Sequence, residues 1–443
     1  MLYKIIVSTK SSKKVFLNSK FTKEHLFINA ESASIRAGSI SVNIGIFKDS
    51  QLNDDEIMIS EDVLDTLLIP RDLKYQIIQK KNSIVIGPVI GLLMGSTKAK
   101  LTKRVLKELT SYCNIYNEIN GLILVLYTEG IDFENKFVKG YYYNPDLDFR
   151  SSVWEEGIFP FPDSIFQRIN LPEDIRIKLK EQTNNSMFNS DYFSKWEFYK
   201  MISTVNPSFN HLPDTKLLGE GMELEDMVSL HKDVYLKTLN GTLSRGIYRI
   251  SSVGDKFELK DKDGVVVEMT SSFEEIKDAV KNITKNKSYL IQQALHPLMV
   301  YDRHTDFRVI MQKNHTLNWI CTGIFTFMGK RSGISSSWGY MATFDRFLEK
   351  NFDFNQKDIF KKKQEVIDVC KDICKVLDES GENYGDLGFD VVIDEDLKVW
   401  VLEANKRHYH TVPLWINDIE TFYETKANPI KYATALSGFN VYE

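Results

Sequence analysis

The stretch Gly385-Asp-Leu-Gly-Phe-Asp-Val-Val-Ile-Asp-Glu-Asp-Leu-Lys-Val-Trp-Val-Leu-Glu-Ala-Asn405 decides how the rest of the chain is read. Two short apolar segments, residues 389–393 and 397–404, flank the acidic turn Asp394-Glu395-Asp396, which is the pattern of a β-hairpin. Alternate side chains of a strand share a face, so Glu403 and Asn405 point the same way. If the hairpin pairs Asp390 with Val401 or with Glu403, Asp390 joins that face, within about 8 Å of Glu403 backbone to backbone. Two carboxylates and an amide oxygen converging on a sheet surface make a hard-oxygen site suited to Mg²⁺, which takes its remaining ligands from water and phosphate. The same acids suit a solvent-facing hairpin equally well, so the surrounding chain has to decide between the two.

At 443 residues the chain is too long for one simple core and is expected to hold two to four domains. A hydrophobic content of 43% and a charged content of 26% are those of an ordinary globular protein. The net charge of -5 gives no general pull toward nucleic acid or an anionic membrane. Cys113, Cys321, Cys370 and Cys374 are too few for a disulfide framework in a chain this size. Cys370 and Cys374 fall one helical turn apart with no second pair nearby, so they read as reduced helix residues rather than zinc ligands. The apolar run at the N-terminus is too short for a signal peptide. The longest apolar run, 84–94, is broken by Gly87, Pro88 and Gly91 and is too short to span a bilayer. A cytoplasmic protein is expected.

Residues 1–82 read as a small β-rich domain, with strands near 2–8, 15–17, 41–47 and 56–59. Ser60-Glu-Asp-Val63 resembles a capping box that opens a short helix ending before Ile69-Pro70. A new unit, 83–189, is expected to start with a strand at 83–86 that runs into a tight loop at Gly87-Pro-Val-Ile-Gly91. Helical periodicity over 98–116 and an apolar strand at 121–127 complete an open α/β pattern. The glycine turn lacks both a Walker lysine and the dinucleotide fingerprint, so it reads as structural. Tyr141-Tyr-Tyr143 and Trp154 read as packing residues.

From residue 190 the chain acquires chemistry. Ser194-Lys-Trp-Glu197 opens a helix. The strand Val234-Tyr-Leu-Lys237 ends in a lysine and is followed by the loop Asn240-Gly-Thr-Leu-Ser-Arg-Gly246 and a further strand. That is either a flap whose backbone N–H groups cover phosphates, with Lys237 as a compact charge at its base, or a surface hairpin with a solvated lysine. The strand 288–295 loses its apolar side chains at Gln292 and Gln293, where free backbone groups would suit an adenine edge. Asp306-Phe-Arg308 puts an acid and a base on one strand face. Arg308 there suits either charge on a transferring phosphoryl group or a cross-strand ion pair. A strand at 319–328, a Ser- and Gly-rich loop at 329–339 containing Arg331, and a helix at 357–380 lead back to the hairpin.

Taken in order, these pieces resemble the ATP-grasp superfamily, and more closely its endospore coat-associated YheC/YheD-type branch. The phrases that carry the resemblance are Ile86-Gly-Pro-Val-Ile-Gly91, Pro160-Phe-Pro-Asp163 with Arg168, Ser194-Lys-Trp196, Tyr235-Leu-Lys237 with Ser244-Arg-Gly-Ile247, Ile291-Gln-Gln293, Asp306-Phe-Arg308 and Leu402-Glu-Ala-Asn405. The resemblance implies an α/β and α+β architecture. An open α/β domain would precede two α+β subdomains that clamp ATP within 190–443, a flap subdomain at about 231–292 and a metal-binding one at about 293–415. It implies that Lys195 and Lys237 bind phosphates, that Gln292, Gln293 and Leu295 meet the adenine mostly through backbone, and that Asp306 meets the ribose. Asp390, Glu403 and Asn405 would hold Mg²⁺, with Arg308 and Arg331 facing the γ-phosphate. Most members of the superfamily are carboxylate–amine ligases, so a small-molecule or peptide carboxylate and an amine are the implied partners. An ATP-binding coat or assembly protein with little turnover, and a phosphotransferase acting on a hydroxyl, are the alternative readings. After Asn405, Lys406-Arg-His-Tyr-His410 stands where a small or proline-containing turn is usual. That basic run is either a recognition surface for an acidic substrate or a solvated face.

Overall fold

Period-2 alternation in the first 87 residues closes a sheet on itself. In the computed structural model, which describes residues 2–24, 32–148, 152–219, 222–241, 246–285, 287–329 and 339–442, the strands Leu2–Ser8, Lys14–Leu17, Ser32–Ala37, Ile40–Lys48, Glu56–Ser60, Lys74–Lys80 and Ser83–Gly87 form a closed barrel. Val15, Leu17, Ile35, Ile57, Ile59 and Tyr75 fill it. Two local expectations change here. Ser83–Gly87, expected to open the α/β unit, pairs instead with Ser32–Ala37 and Lys74–Lys80. Without it both neighbours would present open edges, which closure removes. The Ser60 hydroxyl accepts the Lys14 N–H at 3.1 Å and makes no capping bond to the helix Glu61–Leu67. A contact with the adjacent strand takes the place of the local cap.

The expected loop at 87–91 is instead the entry to a central strand, Val89–Gly95. It runs parallel to Leu122–Asp132 on one side and Ser164–Gln167 on the other. Val89 to Leu93 are buried, which is why this segment is continuously apolar rather than alternating. The full order is Trp154–Pro160, Phe137–Tyr143, Leu122–Asp132, Val89–Gly95, Ser164–Gln167, Met187–Phe188. The helical run expected at 98–116 is cut into Lys98–Lys100, Lys103–Leu109, Thr110–Cys113 and Tyr116–Ile119. Tyr142 and Trp154 are buried, and the Tyr143 and Trp154 rings meet edge to face at 5.7 Å.

Two antiparallel sheets follow. The first runs Thr215–Leu217, Tyr289–Gln293, Asp233–Thr238, Tyr248–Val253, Lys256–Asp261, Val266–Thr270, backed by Glu223–His231 and Phe273–Thr284. The second runs Tyr340–Thr343, Trp319–Met328, Arg303–Lys313, Asp386–Ile393, Val399–Asn405 and packs on the helix Gln356–Glu379. Cys370 and Cys374 are free and buried on that helix. The helix Lys195–Val205 starts with a full capping box. The Ser194 hydroxyl accepts the Glu197 N–H at 3.2 Å, and the Glu197 carboxylate accepts the Ser194 N–H at 2.6 Å. Among the described residues no helix is long and apolar enough to cross a membrane.

The last helix, Ile419–Leu436, returns to the parallel sheet. Ala427, Ile430, Tyr432 and Ala433 pack with Ile90, Leu92, Ile123, Phe166 and Phe188 in one core. The same helix offers the Thr425 carbonyl to the Gln312 amide at 2.9 Å, so it ties the parallel sheet to the last antiparallel one. Ile430→Ala should cost about 2–5 kcal/mol, the usual scale for emptying a buried isoleucine site. Its urea midpoint should fall accordingly; an unchanged midpoint would show that the helix does not carry this core.

Candidate functional site

A cleft of about 660 Å³ opens where the flap-bearing sheet faces the last sheet. Lys195, Lys237, Gln292, Gln293, Leu295, Asp306, Arg308, Asp390, Glu403 and Asn405 all line it. Arg331 lies outside the described residues. The hairpin register explains how the acids meet. Gly388 pairs with Asn405 and Asp390 with Glu403, after which a bulge puts Val391 opposite Val401. The bulge absorbs Leu402, so both acids keep one face while the apolar residues beyond it stay in register with the core. On its other side the strand Asp386–Ile393 pairs Asp390 with Arg308.

The charges are satisfied in pairs. Arg308 Nε donates to Asp390 Oδ1 at 2.6 Å. Lys195 pairs with Glu403 and also donates to the Gly241 carbonyl at 3.2 Å. The Asn405 amide nitrogen reaches Asp390 Oδ2 at 3.3 Å and Glu403 Oε1 at 3.2 Å. Burial pushes the Asp390 carboxyl up to about 6, with Arg308 opposing and Glu403 reinforcing the shift. Burial acts on Glu403 in the same direction, yet Lys195 holds that carboxyl well below its usual range. Burial brings the Lys237 ammonium down to about 8, with Glu403 opposing.

The donor set fits a divalent cation. Two carboxylates converge, and the Asn405 NH₂ places the positive end of an amide between them, as a cation would. A half-turn of that amide presents its oxygen instead and gives an all-oxygen set of the kind Mg²⁺ takes.

Gln292 has a role the sequence did not suggest. Its side-chain oxygen accepts from Lys237 Nζ at 2.5 Å, while its amide donates to Thr215 Oγ1 at 3.0 Å. It therefore braces the lysine. The backbone groups expected to be free at this strand end are also partly committed. The Gln293 N–H goes to the Asp214 carbonyl at 2.8 Å and the Ala294 N–H to the Asp233 carbonyl at 3.1 Å. The cause is that Tyr289–Gln293 is an inner strand, paired on both sides.

A second polar group adjoins the cleft. Asp386 is fully buried and accepts four bonds: Gln312 Nε2 at 2.7 Å and His408 Nε2 at 3.0 Å on one oxygen, Arg168 Nη1 at 3.0 Å and His410 Nε2 at 2.8 Å on the other. Arg168 also holds the His408 carbonyl at 2.8 Å, and the Tyr112 hydroxyl meets His410 Nδ1 at 2.9 Å. The ligand atoms of Asp386, His408 and His410 lie within 4.8 Å of one another, as in a metal trio. The Arg168 guanidinium already occupies that space, 3.2 Å from His410 Nε2, so the group is a hydrogen-bonded network. Arg168 and the 406–410 run were each visible in the sequence; that they meet was not.

The chain is similar to several known proteins. The model of the YheC/D-like ATP-grasp family matches residues 184–436. The endospore coat-associated protein YheD of Bacillus subtilis (strain 168) is 23% identical over 398 residues, 86% of each chain. Endospore coat-associated protein YheC of the same organism is 24% identical over 281 residues, 58% of this chain and 73% of that protein. Among solved structures, VanG D-Ala:D-Ser ligase from Enterococcus faecalis is similar with a TM-score of 0.45 at 10% identity, covering 79% of this chain and 98% of its own.

Asp390→Asn should weaken Mn²⁺ binding, followed by paramagnetic resonance, by more than about tenfold, since even outer-shell changes cost 10–100-fold. Asp394→Asn, in the hairpin turn and not itself lining the cleft, should leave it unchanged. Equal loss in the two variants would sink the metal site.

Proposed function

The chain belongs to the YheC/D-like ATP-grasp family, and from that premise we propose that it is an ATP- and Mg²⁺-dependent ligase joining a small-molecule or peptide carboxylate to an amine through an acyl phosphate. The observation that carries this reading is the gathering of Lys195, Lys237 and Arg308 with Asp390, Glu403 and Asn405 in one cleft, although they come from four separate parts of the chain. In this reading Lys195 and Lys237 bind phosphates, and Gln292 fixes the direction of Lys237. Gln293 and Leu295 meet the adenine and Asp306 the ribose, while Arg308, with Arg331, faces the γ-phosphate. Asp390, Glu403 and Asn405 hold Mg²⁺, which when bound neutralises charge on the phosphates. With the two acids so occupied, Lys195 and Arg308 can turn their charge from the carboxylates to the nucleotide.

The reaction asks for little else. A substrate carboxylate oxygen attacks the γ-phosphorus and ADP leaves. The amine then attacks the acyl carbon, the C–O bond to phosphate breaks, and phosphate departs with the electron pair and takes up the proton that the amine loses. Phosphoryl transfer of this kind needs positioning and preorganised charge more than a protein nucleophile. The relatives are named for the endospore coat, and in this reading the enzyme acts in the cytoplasm or at the forming spore.

Four measurements test this. Lys237→Ala should weaken ATP far more than adenosine, because only charge on the phosphates is lost. In the wild type, ATP affinity should fall as pH rises through about 8, where Lys237 gives up its proton, and Lys237→Arg should remove that fall. Equal loss of ATP and adenosine would assign Lys237 to the fold. Arg308→Ala should lower turnover by roughly two to three orders of magnitude, the scale for losing one preorganised charge-stabilising group. Hydroxylamine should trap the acyl phosphate as a hydroxamate in step with ADP release. A stable phosphoester without free phosphate would replace the ligase with a phosphotransferase, and ATP binding with no acceptor-dependent ADP would replace it with a binding protein.

A further inference from the structure

The run 406–410 is not a uniformly solvated face. Lys406 is buried, donates to the Phe193 carbonyl and lies 3.5 Å from the Phe193 ring centre. His408 and His410 are buried on Asp386. The two residues between them, Arg407 and Tyr409, are exposed and line the cleft. Three anchors thus hold two side chains outward in fixed positions, which a run that needed only hydration would not require.

What those two side chains face has a definite character. Near them in the chain or in contact with their neighbours, Arg168, Val412 and Trp415 also line the cleft, and none of these is acidic. The acids of the cleft are Asp306, Asp390 and Glu403; Asp390 is paired with Arg308 and Glu403 with Lys195. Arg168 is only 14% exposed and its charge is met by Asp386. Arg407 makes no ion pair among the described residues. Tyr409 is 54% exposed and Trp415 38% exposed, with ring centres 6.3 Å apart and planes inclined by 45°. An uncompensated guanidinium beside two exposed rings matches an anion that carries a flat apolar group.

We infer that the non-nucleotide substrate is such a molecule, an amino acid or peptide whose carboxylate pairs with Arg407 and whose ring packs on Tyr409 and Trp415. The inference rests on the ligase reading for calling this ligand a substrate. Arg407 follows Asn405 by two residues, so their Cα atoms are at most roughly 7 Å apart. A ligand held by Arg407 therefore keeps its second functional group within reach of the acids and of Arg308.

The test uses the full chain with Mg²⁺ and ADP, and the probes L-phenylalanyl-L-glutamate, its diamide and L-alanyl-L-glutamate, titrated by saturation-transfer NMR. The first should bind at least about tenfold more tightly than either of the others. Arg407→Glu should remove that advantage, Arg407→Lys should keep part of it, and Tyr409→Phe should keep what Tyr409→Ala loses. Unchanged unfolding midpoints in these variants establish that the fold is intact. Equal binding of the dipeptide and its diamide, binding indifferent to Arg407→Glu, or no binding by any probe would overturn the inference. Arg407-dependent binding without any ATP-dependent hydroxamate would leave the subsite standing and remove the ligase reading. Hydroxamate formed from carboxylates indifferent to Arg407 would do the reverse.

Discussion

Two carboxylates facing each other across adjacent buried strands cannot both stay ionised unless cations stand beside them. Asp390 and Glu403 meet that condition with Arg308 and Lys195, one supplied by the neighbouring strand and the other by a helix N-terminus more than a hundred residues earlier. Much of the last sheet follows from this. Arg303–Lys313 has to lie next to Asp386–Ile393 in the register that sets Arg308 against Asp390. Lys195–Val205 has to begin at the cleft mouth, and the Ser194–Glu197 capping box fixes where it begins.

The polar groups around this centre are committed to each other in a graded way. Gln292 spends its side chain on Lys237 and Thr215, and Asp386 spends all its acceptor capacity on Gln312, Arg168 and two histidines. Groups so fully paired inside the protein define shape and resist substitution. Arg407 and Tyr409, held in place by these paired neighbours, are the ones left to face outward. Buried polar anchors and exposed side chains thus alternate residue by residue along 406–410.

The hairpin was legible from sequence because its signals are local. Period-2 alternation, an acidic turn and the offset of two residues between Glu403 and Asn405 need no partner to be seen. The same holds for the capping box at Ser194 and for the helix at Gln356–Glu379. Where the reading failed, a distant partner had outbid the local signal. Ser60 carries a cap pattern but gives its hydroxyl to Lys14; Ser83–Gly87 reads as the opening of the next unit, yet pairs backward into the barrel. The Gln292–Gln293 strand end appears free in one dimension and is flanked on both sides in three. No local pattern could have joined Arg168 to Asp386, 218 residues apart, or brought the last helix to the parallel sheet.

That last contact has a consequence for how the protein is made. Synthesis is vectorial, and domains generally fold in the order they emerge. The barrel has all its strands once Gly87 has appeared, but the face formed by Ile90, Leu92, Ile123 and Phe166 waits for Ile430 and Ala433. At about 5–20 residues per second that wait lasts on the order of tens of seconds. During it a nascent chain covers that face only in part, with Leu106, Tyr112, Tyr116 and Ile119 of the preceding segment. A ribosome that stalls or terminates early would release a molecule with a finished barrel and a sticky sheet, fit for quality control rather than for work. The helix Ile419–Leu436 therefore completes this one core, since Ile430 and Ala433 are among the last of its buried residues to be made.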